Sequence, residues 1–198
     1  DFDQTLASIH LYHQLQKTNA CRSDNDFIAA YETTFSAPCT IFGGKERLSM
    51  LQIQLHRLCD SGVKLFVITM GNCAVVKRAL QDCDLLRYIE GITDDNPKQQ
   101  TVKILMNTRF DHRLRCDQAV LVDDTEKNFY DASVPKELIK MGMSEEAVNL
   151  FFGSTGSNND GAGEAKVELE PFSTDSLVLS RQSYCMCLLV NGKNGGVT

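Results

Sequence analysis

The sequence lacks the features of a membrane protein and of a nucleic-acid-binding protein. No apolar run approaches the roughly 20 residues that a transmembrane helix requires, and no secretory signal is visible, so we expect a cytoplasmic protein. The 198 residues include 20 Lys and Arg against 26 Asp and Glu, a formal net charge of −6. Because there is no basic excess to displace counterions from phosphates, we expect neither nucleic acid nor an anionic membrane as a partner.

Cysteine is present, but not in a pattern that indicates disulfides. The eight cysteines are scattered and form no Cys-x-x-Cys pair. Disulfide frameworks belong to small secreted chains without a large core, whereas a chain of this length buries a sizeable one. We therefore expect reduced, mostly buried thiols. Cys185 and Cys187 have the spacing of a soft-metal pair, but alternation along a strand explains that spacing more simply.

Helical and strand-like segments alternate in the middle of the chain. Hydrophobic spacing and capping residues predict helices over residues 45–60, 73–86 and 99–107, and strands over residues 63–68, 91–93 and 119–122. Such alternation is typical of βαβ units. We therefore predict an α/β fold with a Rossmann-like parallel sheet and helices on both of its faces.

The two ends of the chain complete the predicted domain organisation. Residues 7–16 and 26–35 are predicted as helices of a small helical insert at about residues 8–44, within a catalytic core of residues 1–152. Residues 153–166, rich in Gly, Ser and Asn, are a predicted flexible linker. Strand-like runs at 177–179 and 186–190 predict strands at a sheet edge or in a hairpin, completing the core before a frayed end.

Residues suited to phosphate chemistry follow the strand-like runs. The chain opens with Asp1 and Asp3, and three later positions follow in order: Thr69 after the strand 63–68, Lys98 at a helix start, and Asp123-Asp124 after the strand 119–122. In parallel sheets, ligands bind beyond the carboxyl ends of the strands, so these side chains are predicted to meet. Each is commonplace singly, as a turn, a strand end or a helix cap, but the ordered set predicts a phosphoryl-transfer site.

The acidic residues divide into chemical roles and metal ligands. Asp1 offers a carboxylate suited to a covalent acyl-phosphate intermediate, and Asp3 is placed to protonate the leaving oxygen and then activate water. Mg²⁺ prefers oxygen ligands and uses few carboxylates. We therefore predict Asp1 and Asp124 as direct ligands, Asp123 as a direct or water-mediated ligand, and Asp3 as a ligand through its backbone carbonyl.

The phosphoryl oxygens require donors and a cation. We predict that Thr69 supplies a hydroxyl and Lys98 a positive charge. Lys103 is the alternative lysine, but it falls inside the helix near apolar residues, so Lys98 is favoured. The predicted substrate-binding set also includes Thr5, Met70, Gly71 and Asn72.

This ordered set resembles the haloacid dehalogenase superfamily, most of whose members are Mg²⁺-dependent phosphatases or phosphotransferases. The resemblance covers residue 1 to about residue 128. It implies that Asp1 is the nucleophile and Asp3 the acid and base, and an aspartate at that second position marks the phosphatase branch. The family has an apolar strand directly before its nucleophile, so we expect such a strand upstream of Asp1.

Three functions remain open at this point. The first is a Mg²⁺-dependent phosphatase acting on a phosphoprotein or a small metabolite, the second a phosphotransferase on the same scaffold, and the third a non-catalytic binding module. A phosphatase would form an aspartyl-phosphate and turn over a generic aryl phosphate. His10 and His13 lie one helical turn apart but have no evident third ligand. We therefore expect them to line the active-site entrance more readily than to bind a metal.

Overall fold

The computed structural model describes residues 1–18, 21–94, 96–110, 118–134, 136–138 and 188–190. The predicted linker and the strand-like run at 177–179 lie outside these ranges. In chain order the described elements are the helices and strands α1 (Leu11–Thr18), α2 (Asp24–Thr34), α3 (Lys45–Asp60), β1 (Val63–Ile68), α4 (Cys73–Asp82), β2 (Ile89–Thr93), α5 (Lys98–Arg109), β3 (Ala119–Asp123), β4 (Lys136–Leu138) and β5 (Leu188–Val190). The predicted mixed α/β class is confirmed.

The sheet is mixed rather than wholly parallel. Its strand order is β2-β1-β5-β3-β4, in which β1 pairs with β2 and β3 pairs with β4 in parallel. Strand β5 runs antiparallel to both of its neighbours, β1 and β3. The expectation of an edge strand or a hairpin for this segment is therefore wrong. In the interior position both rows of its backbone donors and acceptors face a partner strand, which an edge position would not allow.

The core is built from the apolar faces that the hydrophobic spacing predicted. In α3, Leu51, Leu55 and Leu58 are each at most 2% exposed, and they recur at helical spacing on one side of the helix. All five residues of β3 are buried, as are five of the six in β1. This pattern is typical of strands that are covered on both sides.

The element boundaries follow local chemistry. Helix α3 ends at Asp60 because Gly62 takes a left-handed conformation (φ +84°), which glycine adopts without steric cost. Helix α4 begins where the Asn72 side chain accepts a hydrogen bond from the Val75 amide at 3.0 Å. The same helix ends at Asp82 rather than at residue 86, because Asp84 turns left-handed (φ +55°) and breaks it.

The start of the first predicted helix also differs. Residues Phe2–Leu6 form a tight turn, closed by the hydrogen bond from the Ala7 amide to the Phe2 carbonyl at 2.9 Å, and α1 begins only at Leu11. Gln4 in this turn is left-handed (φ +54°), an uncommon conformation for a residue with a Cβ atom. Asp1 and Phe2–Leu6 together are called the opening turn, which carries Asp1 and Asp3.

The five cysteines within the described residues are free thiols. Cys21 and Cys83 are buried, whereas the other three are partly exposed, so the expectation of mostly buried thiols is wrong for this part of the chain. Burial raises the pKa of the Cys83 thiol to about 11. Within the same residues, every helix is too short or too polar to cross a bilayer.

Two residues on α3 test the assignment of its buried face. Leu55→Ala should lower the free energy of unfolding by about 2–5 kcal/mol, because it removes a side chain that is 1% exposed and leaves a cavity. Ile53→Ala on the same helix should change it by less than about 0.5 kcal/mol, because Ile53 is 53% exposed. Urea denaturation of both variants measures the difference. Equal losses would contradict the assigned orientation of α3.

Candidate active site

The predicted residues meet at the ends of β1 and β3. Thr69 directly follows β1, and Asp123 is the last residue of β3. The opening turn joins them there, because the backbone nitrogen of Asp1 donates to the Val122 carbonyl of β3 at 2.8 Å. Strands β1 and β3 both run antiparallel to β5, so they point in the same direction and their carboxyl ends lie at one edge of the sheet.

Lys98 links the two ends of the acidic cluster. Its ammonium nitrogen lies 2.9 Å from Asp1 Oδ1 and 2.7 Å from Asp123 Oδ2, and its side chain is 3% exposed. Lys103, the alternative, instead pairs with Asp131 on a partly exposed surface. The lysine inside the acidic cluster is therefore Lys98, at the first residue of α5.

Asp123 is a fully buried carboxyl group. Besides the contact with Lys98, its Oδ1 accepts hydrogen bonds from the Thr125 amide at 2.8 Å and from Asn128 Nδ2 at 2.9 Å. Burial alone would raise the pKa of Asp123. Nearby positive charge, including the Lys98 ammonium, and the donated hydrogen bonds outweigh burial and hold this pKa below its ordinary value. Asp123 therefore fixes the turn that presents Asp124.

The carboxylates of Asp1, Asp123 and Asp124 fit a divalent cation. Each offers one oxygen, and the three oxygens lie within 4.8 Å of one another. Within the described residues, this is the one group of three or more His, Cys, Asp or Glu side chains that converges in this way. Three carboxylates exceed the single charge of Lys98, and hard oxygen donors suit Mg²⁺. The Asp3 carboxylate lies outside the group, which leaves its backbone carbonyl as the predicted ligand.

Asp3 lies beside the cluster in a different environment. Its Oδ1 accepts a hydrogen bond from the Leu11 amide at 3.0 Å. Burial raises the pKa of Asp3, and the amides of Leu11 and Tyr12 and the nearby His10 and His13 offset this only in part, so its pKa lies above the ordinary value. A raised pKa suits a carboxyl group that must donate a proton.

Thr69 and Gly71 form the floor of the cleft. The Thr69 amide donates to the Thr93 carbonyl of β2, and its hydroxyl accepts from the Gly71 amide at 3.0 Å. A Cβ atom on Gly71 would lie 3.3 Å from Thr69 Oγ1 and 4.0 Å from Asp3 Oδ2. Glycine therefore keeps the space between these two groups open. Met70 beside them is 60% exposed and lines the same cleft, whose volume is about 300 Å³.

Two residues of the predicted substrate-binding set do not line this cleft. The Asn72 side chain caps α4 and also donates to Asp24 Oδ1 at 2.6 Å, so its polar atoms are already engaged. Thr5 lies within the opening turn and is 2% exposed, and its hydroxyl has no hydrogen-bond partner among the described residues. The contacts of Asn72 indicate a role in holding the structure rather than in contacting substrate.

Arg47 holds the opening turn from α3. Its guanidinium donates to the carbonyls of Leu6 at 2.8 Å, Phe42 at 2.7 Å and Thr5 at 3.2 Å. These contacts satisfy carbonyl groups that the turn leaves without a helical partner. The turn that carries both catalytic candidates is therefore fixed by a residue more than 40 positions away in sequence.

The structure adds four cleft residues that the sequence did not single out: Tyr12, Thr125, Lys127 and Asn128. The last three lie in the polar turn that follows Asp124. Their closeness in sequence to the predicted pair Asp123-Asp124 is the signal that could have identified them. His10 and His13 also line the cleft, as expected, with ring centroids 5.5 Å apart. In the described part of the chain they join no third ligand.

No family model matches the chain, and no curated protein or solved structure matches it. Its function is therefore inferred from the geometry of this cleft.

Removing Lys98 tests the electrostatic balance of the cluster. Lys98→Met should lower the free energy of unfolding by about 3–5 kcal/mol in metal-free buffer, because it leaves two buried carboxylates without their cation. Lys103→Met should cost much less, because its ion pair is partly exposed. Urea denaturation in the presence of a chelator measures both variants. A Lys98→Met variant as stable as the wild type would show that the cluster does not depend on this ammonium.

Proposed function

We propose that the protein is a Mg²⁺-dependent phosphatase that hydrolyses a phosphate monoester through an aspartyl-phosphate on Asp1. One observation carries the proposal: Asp1, Lys98, Asp123 and Asp124 converge beside a separate carboxyl group, Asp3, at the edge of one cleft. The finer fold assignment, a Rossmann-like core of the haloacid dehalogenase type, belongs to the same proposal. The common direction of β1 and β3, on either side of β5, supports it.

The first step transfers the phosphoryl group to the protein. An oxygen of Asp1 attacks phosphorus, and a bond from this oxygen to phosphorus forms as the ester bond breaks. Asp3 gives its proton to the departing oxygen, and its raised pKa favours the protonated form that this step requires. Lys98 holds the Asp1 carboxylate in position, since its ammonium contacts Asp1 Oδ1 directly.

The second step releases inorganic phosphate. Asp3, now ionised, takes a proton from a water molecule whose oxygen attacks phosphorus, and the bond to Asp1 breaks. Thr69 and Met70 line the same cleft, and in this proposal the Thr69 hydroxyl and the Met70 amide donate to the phosphoryl oxygens. A divalent ion held by Asp1, Asp123 and Asp124 would neutralise charge on those oxygens.

The nucleophile is tested by a conservative substitution. Asp1→Asn should reduce the turnover of p-nitrophenyl phosphate by at least about a thousandfold, because the amide cannot form the acyl-phosphate. Asp60→Asn, at an exposed carboxylate on α3, should leave turnover unchanged. Steady-state assays at saturating Mg²⁺ measure both. Full activity of the Asp1→Asn variant would refute the assigned role.

The same assay separates hydrolysis from transfer. With glycerol added as an acceptor, a phosphatase releases inorganic phosphate at the rate at which it releases p-nitrophenol. Glycerol phosphate formed faster than inorganic phosphate would favour a phosphotransferase. Absence of turnover on a broad panel of phosphate esters would favour a binding module.

The metal ligands are tested by titration with Mg²⁺. Asp124→Asn should raise the Mg²⁺ concentration for half-maximal activity by at least about tenfold, since loss of even an outer-shell partner costs about this much. Glu126→Gln, two residues away and exposed, should leave that concentration unchanged. A chelator should abolish the activity of the wild type, and added Mg²⁺ should restore it. Equal Mg²⁺ requirements for both variants would remove Asp124 from the ligand set.

A further inference from the structure

One wall of the cleft is lined with nitrogen and hydroxyl donors that the proposed chemistry does not use. His10, Tyr12, His13 and Lys127 line the same cleft as Asp1, Asp3 and Asp124. Lys98 is already engaged by Asp1 and Asp123. By contrast, Lys127 forms no ion pair with any other described residue. The cleft therefore offers a second cationic group in addition to the one that stabilises the acidic cluster.

The donor wall is defined as His10, Tyr12, His13 and Lys127, and its first three residues are fixed relative to Asp3. The Asp3 carboxylate accepts a hydrogen bond from Leu11, the first residue of α1, which places the residues on either side of Leu11 next to it. Both histidines are close enough to Asp3 to favour its ionised form. The Tyr12 ring stacks on Phe27 of α2, with centroids 5.5 Å apart, and this contact supports the wall from behind.

The position of Asp3 determines which part of a substrate meets this wall. Asp3 is the proposed proton donor to the departing oxygen, so the leaving group must lie within its reach. His10, Tyr12 and His13 adjoin Asp3, whereas Lys127 follows the predicted metal ligand Asp124 by three residues and lines the same cleft. A leaving group within reach of Asp3 would thus lie against His10, Tyr12 and His13.

We infer that the leaving group carries a second anionic group, a carboxylate or a phosphate, which the donor wall binds through Lys127 and the two histidines. Imidazole donates an N–H whether neutral or charged, and a lysine ammonium is a point charge suited to either anion. The volume of about 300 Å³ lies at the small end of ligand pockets, which favours a small phosphorylated acid over a phosphoprotein. This inference rests on the proposed phosphatase function.

Matched substrates test it. We compare kcat/KM for 3-phosphoglycerate with that for glycerol 3-phosphate, which is of similar size but lacks the carboxylate. A second comparison, of kcat/KM for propane-1,3-diol bisphosphate with that for propane-1,3-diol monophosphate, tests a phosphate as the second anionic group. The wild type should prefer at least one of the two anionic esters by about fivefold or more. Lys127→Gln and the double variant His10→Gln/His13→Gln should each reduce that preference several-fold.

Two controls and a binding measurement separate the outcomes. Lys77→Gln and His56→Gln remove an exposed cation and an exposed imidazole outside the cleft and should leave the preference unchanged. Calorimetric titration of the Asp1→Asn variant with the same esters should show the same preference in affinity, which tests the wall without turnover.

Equal kcat/KM values within both pairs, with p-nitrophenyl phosphate still hydrolysed, would overturn the inference and leave the phosphatase function standing. Turnover of phosphopeptides in place of all four esters would also overturn it. No turnover of p-nitrophenyl phosphate, together with no ester binding to Asp1→Asn, would refute both the function and the inference.

Discussion

The contact of one buried ammonium with two carboxylates underlies the whole site. Lys98 bridges Asp1 and Asp123 within 3 Å of each, and it is almost completely excluded from water. Two buried carboxylates at this separation would repel each other strongly without a cation between them. The lysine thereby joins the opening turn, the end of β3 and the start of α5 at one point. Asp124, the next residue after Asp123, reaches the cleft because this junction fixes the chain before it.

Two carboxyl groups of the site, those of Asp123 and Asp3, have pKa values shifted in opposite directions by their surroundings. Asp123 is held below its ordinary pKa by the surrounding positive charges and hydrogen-bond donors, whereas Asp3, shielded from water beside α1, is raised above its ordinary pKa. Opposite shifts of neighbouring carboxyl groups allow one to stay ionised while the other carries a proton. This difference makes the cleft suited to general acid chemistry next to a cation site.

Local signals in the sequence were sufficient for much of this arrangement. Helix α3 and strand β1 have the predicted bounds, because an apolar spacing of three and four residues ends at Gly62 and a continuous apolar run follows. Lys98 was favoured over Lys103 because anion-binding groups cluster at helix starts, and the structure places Lys98 in the cluster. Signals of this kind act over a few residues and can be read from one sequence.

The features that escaped prediction depend on contacts between distant residues. The position of β5 between β1 and β3 depends on pairing with two strands that are distant in sequence. The three apolar residues of β5 do not specify these partners. The left-handed Gln4 is held in a turn whose carbonyls are bound by Arg47. Asn72 was predicted to contact substrate, because its hydrogen bond to the distant Asp24 cannot be inferred from the local sequence. In each case tertiary contacts decided among conformations that the local sequence leaves open.

A crystal structure of the protein with Mg²⁺ and beryllium fluoride is the most direct measurement, because this anion mimics a phosphoryl group on a carboxylate. We expect trifluoroberyllate bonded to the Asp1 carboxylate, with a cation between Asp1 and Asp124 and with Lys98 still in contact with Asp1. An adduct on another residue, or a cation bound away from Asp1 and Asp124, would contradict the proposed function.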